Sequence, residues 1–167
     1  RDVAPSRGLG DVYKRQANFA PYLLERAQMY MNNDQARNAM LDYDAYYKAV
    51  NGQVNDLFYY YREQAALKAR QYQRALDDIV KAIELSPKDL TYRAEHAVVN
   101  LRVGRYEESM KILNEILKDE PKYGEAYRLL GLCQIQLKKT DEACGNFNKA
   151  KELGDPNVDE LIKKYCK

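Results

Sequence analysis

Glycine and proline are scarce in this chain, eight and five in 167 residues, and nothing in it reads as a strand. No apolar run approaches the ~18 residues that a membrane span requires. No Gly-rich phosphate loop occurs, and the single histidine, His96, leaves no His-based metal cluster. No cofactor is therefore expected. The three cysteines, Cys133, Cys144 and Cys166, are odd in number and lack C-x-x-C spacing, which argues against a disulfide framework or a zinc site. Cys133 and Cys144 could face each other across one hairpin, but the cysteines are read as small buried hydrophobes. Free thiols lean towards a reducing interior, a lost export signal would reverse that, and the compartment stays open.

The first sixteen residues stand apart. Asp11-Val12-Tyr13-Lys14-Arg15-Gln16 resembles a translated sequencing-adaptor end, no initiator Met is present, and Arg1 to Gly10 shows no periodicity. Residues 1–16 are expected to be foreign to the fold or a disordered tail, with the true N-terminus missing. They carry four basic and two acidic side chains, so the whole-chain balance of 27 to 25 becomes 23 to 23 without them. A neutral surface argues against nucleic acid or an anionic membrane as partner.

What the chain does have is a period of 34. Ala75, Ser109 and Ala143 form one column, Ile79, Leu113 and Phe147 a second, and Ala82, Ile116 and Ala150 a third. Tyr72, Tyr106 and Thr140 precede them, and Pro87 and Pro121 close two units, with Pro156 one residue late. Such a period means one helical hairpin copied along the chain, each burying its apolar face on the next. Helices are expected over 19–32, 35–50, 55–69, 72–85, 89–103, 106–118, 123–137 and 140–153. Gly104 suits the left-handed end of one helix, and Asp89 and Asp141 suit N-caps. Asp155 and Pro156 are expected to open a terminal helix whose stripe, Val158, Leu161, Ile162 and Tyr165, covers the last unit.

Tyr127-x2-Leu130-Gly131 followed by Ala143-x3-Phe147-x2-Ala150 resembles the tetratricopeptide repeat, whose pattern is an aromatic, Leu-Gly, Ala-x3-Phe and a closing Pro. Gly131 and Ala143 would let two helices approach closely while Phe147 fills the space towards the next unit. The unit at 56–89 matches in its second helix but has Arg62 and Glu63 for Leu-Gly; the unit at 90–123 has His96 and Ala97 there. Residues 19–53 match weakly through Ala27, Ala39, Tyr43 and Tyr46, after a two-residue slippage. The expected fold is thus all-α, a superhelix or solenoid of antiparallel hairpins over 17–167. Its parts are a degenerate repeat at 19–53, repeats at 56–89, 90–123 and 124–156, and a capping helix at 157–167.

The resemblance implies a concave groove on the first helices that binds a peptide or partner protein. Leu67, Leu101 and Ile135 would form its apolar rail beside Val98 and Leu132, with Tyr60, Gln64, Lys68, Arg102, Arg128 and Gln136 as polar contacts. Family members that clamp chaperone carboxylates use Lys, Asn and Arg where this chain has Tyr60, Gln64, Glu95, Glu125 and Leu129. Two acids in that set make such tails poor ligands. A structural, self-associating segment of a longer protein is the alternative role.

Six tyrosines crowd residues 43–61, at positions 43, 46, 47, 59, 60 and 61. Tyr59, Tyr60 and Tyr61 cannot share one interface at ~100° per residue. Tyr60 is expected to be the exposed anchor. His96 stands in a Leu column and is read as structural, and Asp77, Asp78, Glu107 and Glu108 as solvated helix exteriors. No enzymatic role is expected.

Overall fold

The computed structural model of the chain describes residues 9–166, with side chains from Ala20 onward. The helices are α1 Leu9–Asn32, α2 Ala36–Ala49, α3 Asp56–Lys68, α4 Tyr72–Leu85, α5 Leu90–Arg102, α6 Tyr106–Asp119, α7 Gly124–Gln136, α8 Thr140–Glu152 and α9 Asp159–Tyr165. Among the described residues there is no strand. From α2 to α8 the ends differ from those expected by no more than one residue. The first helix does not begin near residue 19. It starts at Leu9 and runs on through Pro21, whose ring nitrogen has no proton to give the ladder. Of the expected tail, residues 1–8 lie outside the described residues.

Three of the four corners where a first helix turns into a second hold a non-glycine residue at positive φ. Asp34 (φ 55), Arg70 (φ 60) and Lys138 (φ 61) occupy the column of Gly104 (φ 81). From Arg70 through Gly104 to Lys138 the backbone thus repeats with the same period as the side chains, and Asp34 is offset by the two-residue slippage. Asp89 caps α5 as expected, its Oδ1 accepting from the amides of Thr91 at 2.8 Å and Tyr92 at 3.2 Å. Asp141 is not a cap: Lys139 holds that position on α8, and Asp141 sits within the first turn.

Contacts divide the chain into two compact units, residues through Ala75 and residues from Leu76 on, the division falling inside α4. In the first unit α1 packs on α2 and α2 on α3. Phe58 is the hub of the tyrosine-rich region, with Tyr43 edge-on at 5.8 Å, Tyr46 at 5.4 Å and Tyr47 stacked at 6.0 Å. Arg26, in the column of Leu130, forks onto the buried carboxylate of Asp42 at 2.7 and 2.6 Å. A charge-assisted pair there replaces an apolar contact.

The second unit packs in chain order, α5 on α6, α6 on α7, α7 on α8 and α8 on α9. Its core joins Ala94, Ala97, Leu113, Ile116, Ala126, Leu129, Leu130 and Cys133. Leu113 and Ile116 are wholly buried, each worth about 1.5–3 kcal/mol relative to exposure. Ser109, the polar member of its column, is also buried and donates to the carbonyl of Ala97 at 2.7 Å. Asp78 corrects the reading of it as a solvated exterior, being only 4% exposed.

A second core of Ala143, Phe147, Ala150 and Val158 carries the apolar stripe of α9 through Leu161, Ile162 and Tyr165. The terminal helix opens later than expected, at Asp159 with Val158 as N-cap. Asp155 instead accepts from the amide of Asn157 at 2.7 Å, ahead of the helix. The cysteines also differ from expectation. Cys144 and Cys166 form a disulfide that ties α8 to the end of α9, and only Cys133 is a free, buried thiol. The pairing removes the premise on which free thiols argued for a reducing compartment.

Candidate functional site

In the second unit the expected groove residues lie on two first helices in contact, α5 and α7. Val98, Leu101 and Leu132 are half-buried and pack against the Leu113–Ile116 core. Leu132 and Ile135 also touch the core around Phe147. One edge of each side chain thus holds the helices together while the remainder meets solvent. Arg102 and Gln136 are exposed one residue beyond Leu101 and Ile135.

Arg128 is engaged rather than free. Its Nε donates to Asp155 Oδ2 at 2.9 Å and its Nη2 to Glu125 Oε1 at 2.7 Å. Tyr123 Oη donates to the other oxygen of Glu125 at 2.9 Å. Asp155 is 4% exposed in its side chain and Arg128 15%, so water screens this bridge little. Burial, with the hydrogen bond to Glu125 next, pushes the Tyr123 hydroxyl upward. Glu95 is half-buried, and burial followed by the nearby Glu125 charge raises its carboxyl, against the opposing pull of Arg102 and Arg128. Glu95 on α5 and Glu125 on α7 are thus close enough for each charge to act on the other, with Glu125 already paired to Arg128. Their acidity was read from the sequence only as a reason against carboxylate ligands; the mutual effect depends on the α5–α7 packing.

In the first unit α3 carries the remaining expected groove residues. Tyr60, Gln64 and Leu67 are half-buried, and exposed Lys68 pairs with Asp34 at 3.5 Å. Tyr60 is not the most exposed of its run. Tyr61 is, at 40%, while Tyr60 lies against it with ring centroids 5.6 Å apart. His96 is half-buried, and burial holds its imidazole below the ordinary value. Among the described residues no three metal-ligating side chains converge, and no helix is long and apolar enough to cross a membrane.

The family profile described as tetratricopeptide repeat matches residues 64–119 and 95–158, together more than half the chain. Among curated proteins, small glutamine-rich tetratricopeptide repeat-containing protein 2 of Mycosarcoma maydis is 30% identical over 99 residues, covering 59% of this chain and 28% of its own. Heat shock protein STI1 of Saccharomyces cerevisiae is 32% identical over 101 residues, covering 58% of this chain and 17% of its own. The chain thus spans well under a third of either relative. Among solved structures, YrrB, described as a TPR protein with an unusual peptide-binding site, superposes with a TM-score of 0.70. It is 18% identical and covers 92% of this chain and 84% of that one, a likeness of fold. The columns, the stacked hairpins and these matches together make the chain a member of the tetratricopeptide repeat family.

Proposed function

We infer that this chain is a protein-interaction module that holds a peptide or partner segment against α5 and α7, with no catalytic step of its own. The observation that carries the reading is the half-buried strip Val98, Leu101, Leu132 and Ile135, on the two helices that also carry Glu95 and Glu125. A strip already anchored on one side needs little ordering when it binds, which lowers the entropic cost of association. The fold likeness to a protein described as having a peptide-binding site supports it. Apolar burial supplies affinity, and the two carboxylates select segments carrying Lys or Arg. Tyr60, Gln64, Leu67 and Lys68 form a separate candidate contact on α3 of the first unit.

Random peptides selected on the full chain test this. Enriched sequences should combine bulky apolar residues with a cation, and Gln136→Arg or Leu101→Ala should weaken them about tenfold or more. Lys118→Glu, on exposed α6 surface, should leave affinity unchanged. Peptides indifferent to both groove variants would sink the reading.

A second reading rests on α1. Tyr22 and Met29 are 49% and 62% exposed in the columns where α7 buries Ala126 and Cys133 against α6. That uncovered helix face suits a structural role in which another helical hairpin stacks on it. Sedimentation across a concentration series, with Met29→Lys as comparison, checks whether a second copy provides that hairpin.

A further inference from the structure

The links that join successive hairpins are not all alike. Four residues, 120–123, connect α6 to α7, whereas six, 50–55, connect α2 to α3. In the second unit the columns at that junction are closed: Ala94, Leu113, Ile116 and Ala126 are each no more than 3% exposed. The same columns in the first unit hold Leu24, Tyr43, Tyr46 and Phe58. Larger side chains should close the junction more tightly. Instead the first unit opens there into a cleft of about 630 Å³, completed by Gln53, Val54, Asn55 and Leu57. The longer link, with Asn51 at φ 51 and Gly52 at φ 73, supplies its rim.

The floor is preformed. Phe58 is 6% exposed and held by the rings of Tyr43, Tyr46 and Tyr47, while Asn55 Oδ1 accepts from the Phe58 amide at 3.0 Å. Leu57, at the rim, is 43% exposed. None of the eight lining residues is charged, so the cleft offers a charged occupant no counter-charge for the hydration it gives up. Asn55 and Gln53 carry carboxamides able to meet a peptide's carbonyl or amide. The volume lies within the range of ligand sites, ~300–1,000 Å³, and aromatic walls favour bulky apolar groups.

The geometry points to an anchor site here: the α1–α2–α3 cleft takes a large uncharged side chain, aliphatic or aromatic, from a peptide partner. The inference rests on the chain's reading as a peptide-holding module, but it concerns a site remote in sequence from the α5–α7 strip. Methyl-resolved NMR of the full chain tests it, with N-acetyl-L-phenylalaninamide and N-acetyl-L-lysinamide as probes. The phenylalanine probe should shift the methyls of Leu24, Val54 and Leu57, and the lysine probe should not. Leu57→Glu should abolish the shifts at Leu24 and Val54, whereas Leu41→Glu, on exposed α2 surface, should preserve them. Leu57→Gln carries the same test should the added charge disturb α3. Absent shifts, equal shifts with both probes, or shifts that survive the Leu57 variants would overturn the cleft. Shifts confined to Leu101 and Leu132 would overturn it while leaving the α5–α7 reading in place.

Discussion

A methyl group added to Gly131 would stand 2.4 Å from one ring carbon of Phe147 and 2.6 Å from another. Phe147 is itself fully buried and stacked on Tyr165, so the ring has little room to retreat. Gly131→Ala should therefore destabilise the chain by about 1–3 kcal/mol in denaturant titrations. Gly145→Ala is the contrasting case. Nothing lies within 4 Å of the added carbon on that exposed face of α8, and the gain in helix propensity should stabilise by about 0.5–1 kcal/mol. His96 makes a pH-dependent case. Its folded value lies below the ordinary 6.5 because burial disfavours the cation. Its neutral form therefore adds stability above about pH 6.5, and this is lost as the pH falls through the lowered folded value. His96→Leu, restoring the residue found at 130, should raise the thermal midpoint more at about pH 5 than at about pH 8. An equal rise at both would show that packing alone is responsible.

Among the elements, α9 depends on two kinds of tie, burial of Val158 and the Cys144–Cys166 bond across 22 residues. Closing a loop of that size restricts the unfolded chain and is worth about 3 kcal/mol. Reductant or Cys144→Ser should lower the denaturant midpoint accordingly and speed amide exchange across Asp159–Tyr165. For α5, Asp89→Ala removes both capped amides and should cost about 1 kcal/mol. Helix positions were legible from the spacing of Ala75, Ile79 and Ala82 and their copies, because each column is buried for the same reason in each unit. The disulfide was not legible. Its partner lies just past the terminal helix, outside the repeating register, and only the way α9 lies on α8 brings Cys166 to Cys144. Nor was the choice between Tyr60 and Tyr61, since one residue of rotation about α3 separates an exposed ring from a half-buried one. The cleft beside Leu57 is hidden in the sequence for a related reason: the two-residue slippage is visible there, but whether it opens space or only bends the link depends on how α3 settles on α2.

For the molecule as a whole, packing runs mainly between neighbouring helices within each unit, so stability is distributed along the chain. Loosening α9 by reduction should leave amide exchange in α1, α2 and α3 unchanged; faster exchange there would show that the chain unfolds as one block. The copied pattern puts Leu101 and Ile135 at matching places on α5 and α7, but it could not convey that Arg128 is spoken for by Glu125 and Asp155. The corners at Asp34, Arg70 and Lys138 offer a different kind of leverage. A side chain in the left-handed region costs roughly 1–2 kcal/mol, which glycine at 104 avoids. Arg70→Gly and Lys138→Gly should each raise the midpoint, less the entropy glycine forfeits on folding, and, lying 68 residues apart in different hairpins, their gains should add. The bends of this protein are thus adjustable parts, a place to harden it for crystallography or engineering without touching the surfaces proposed for a partner.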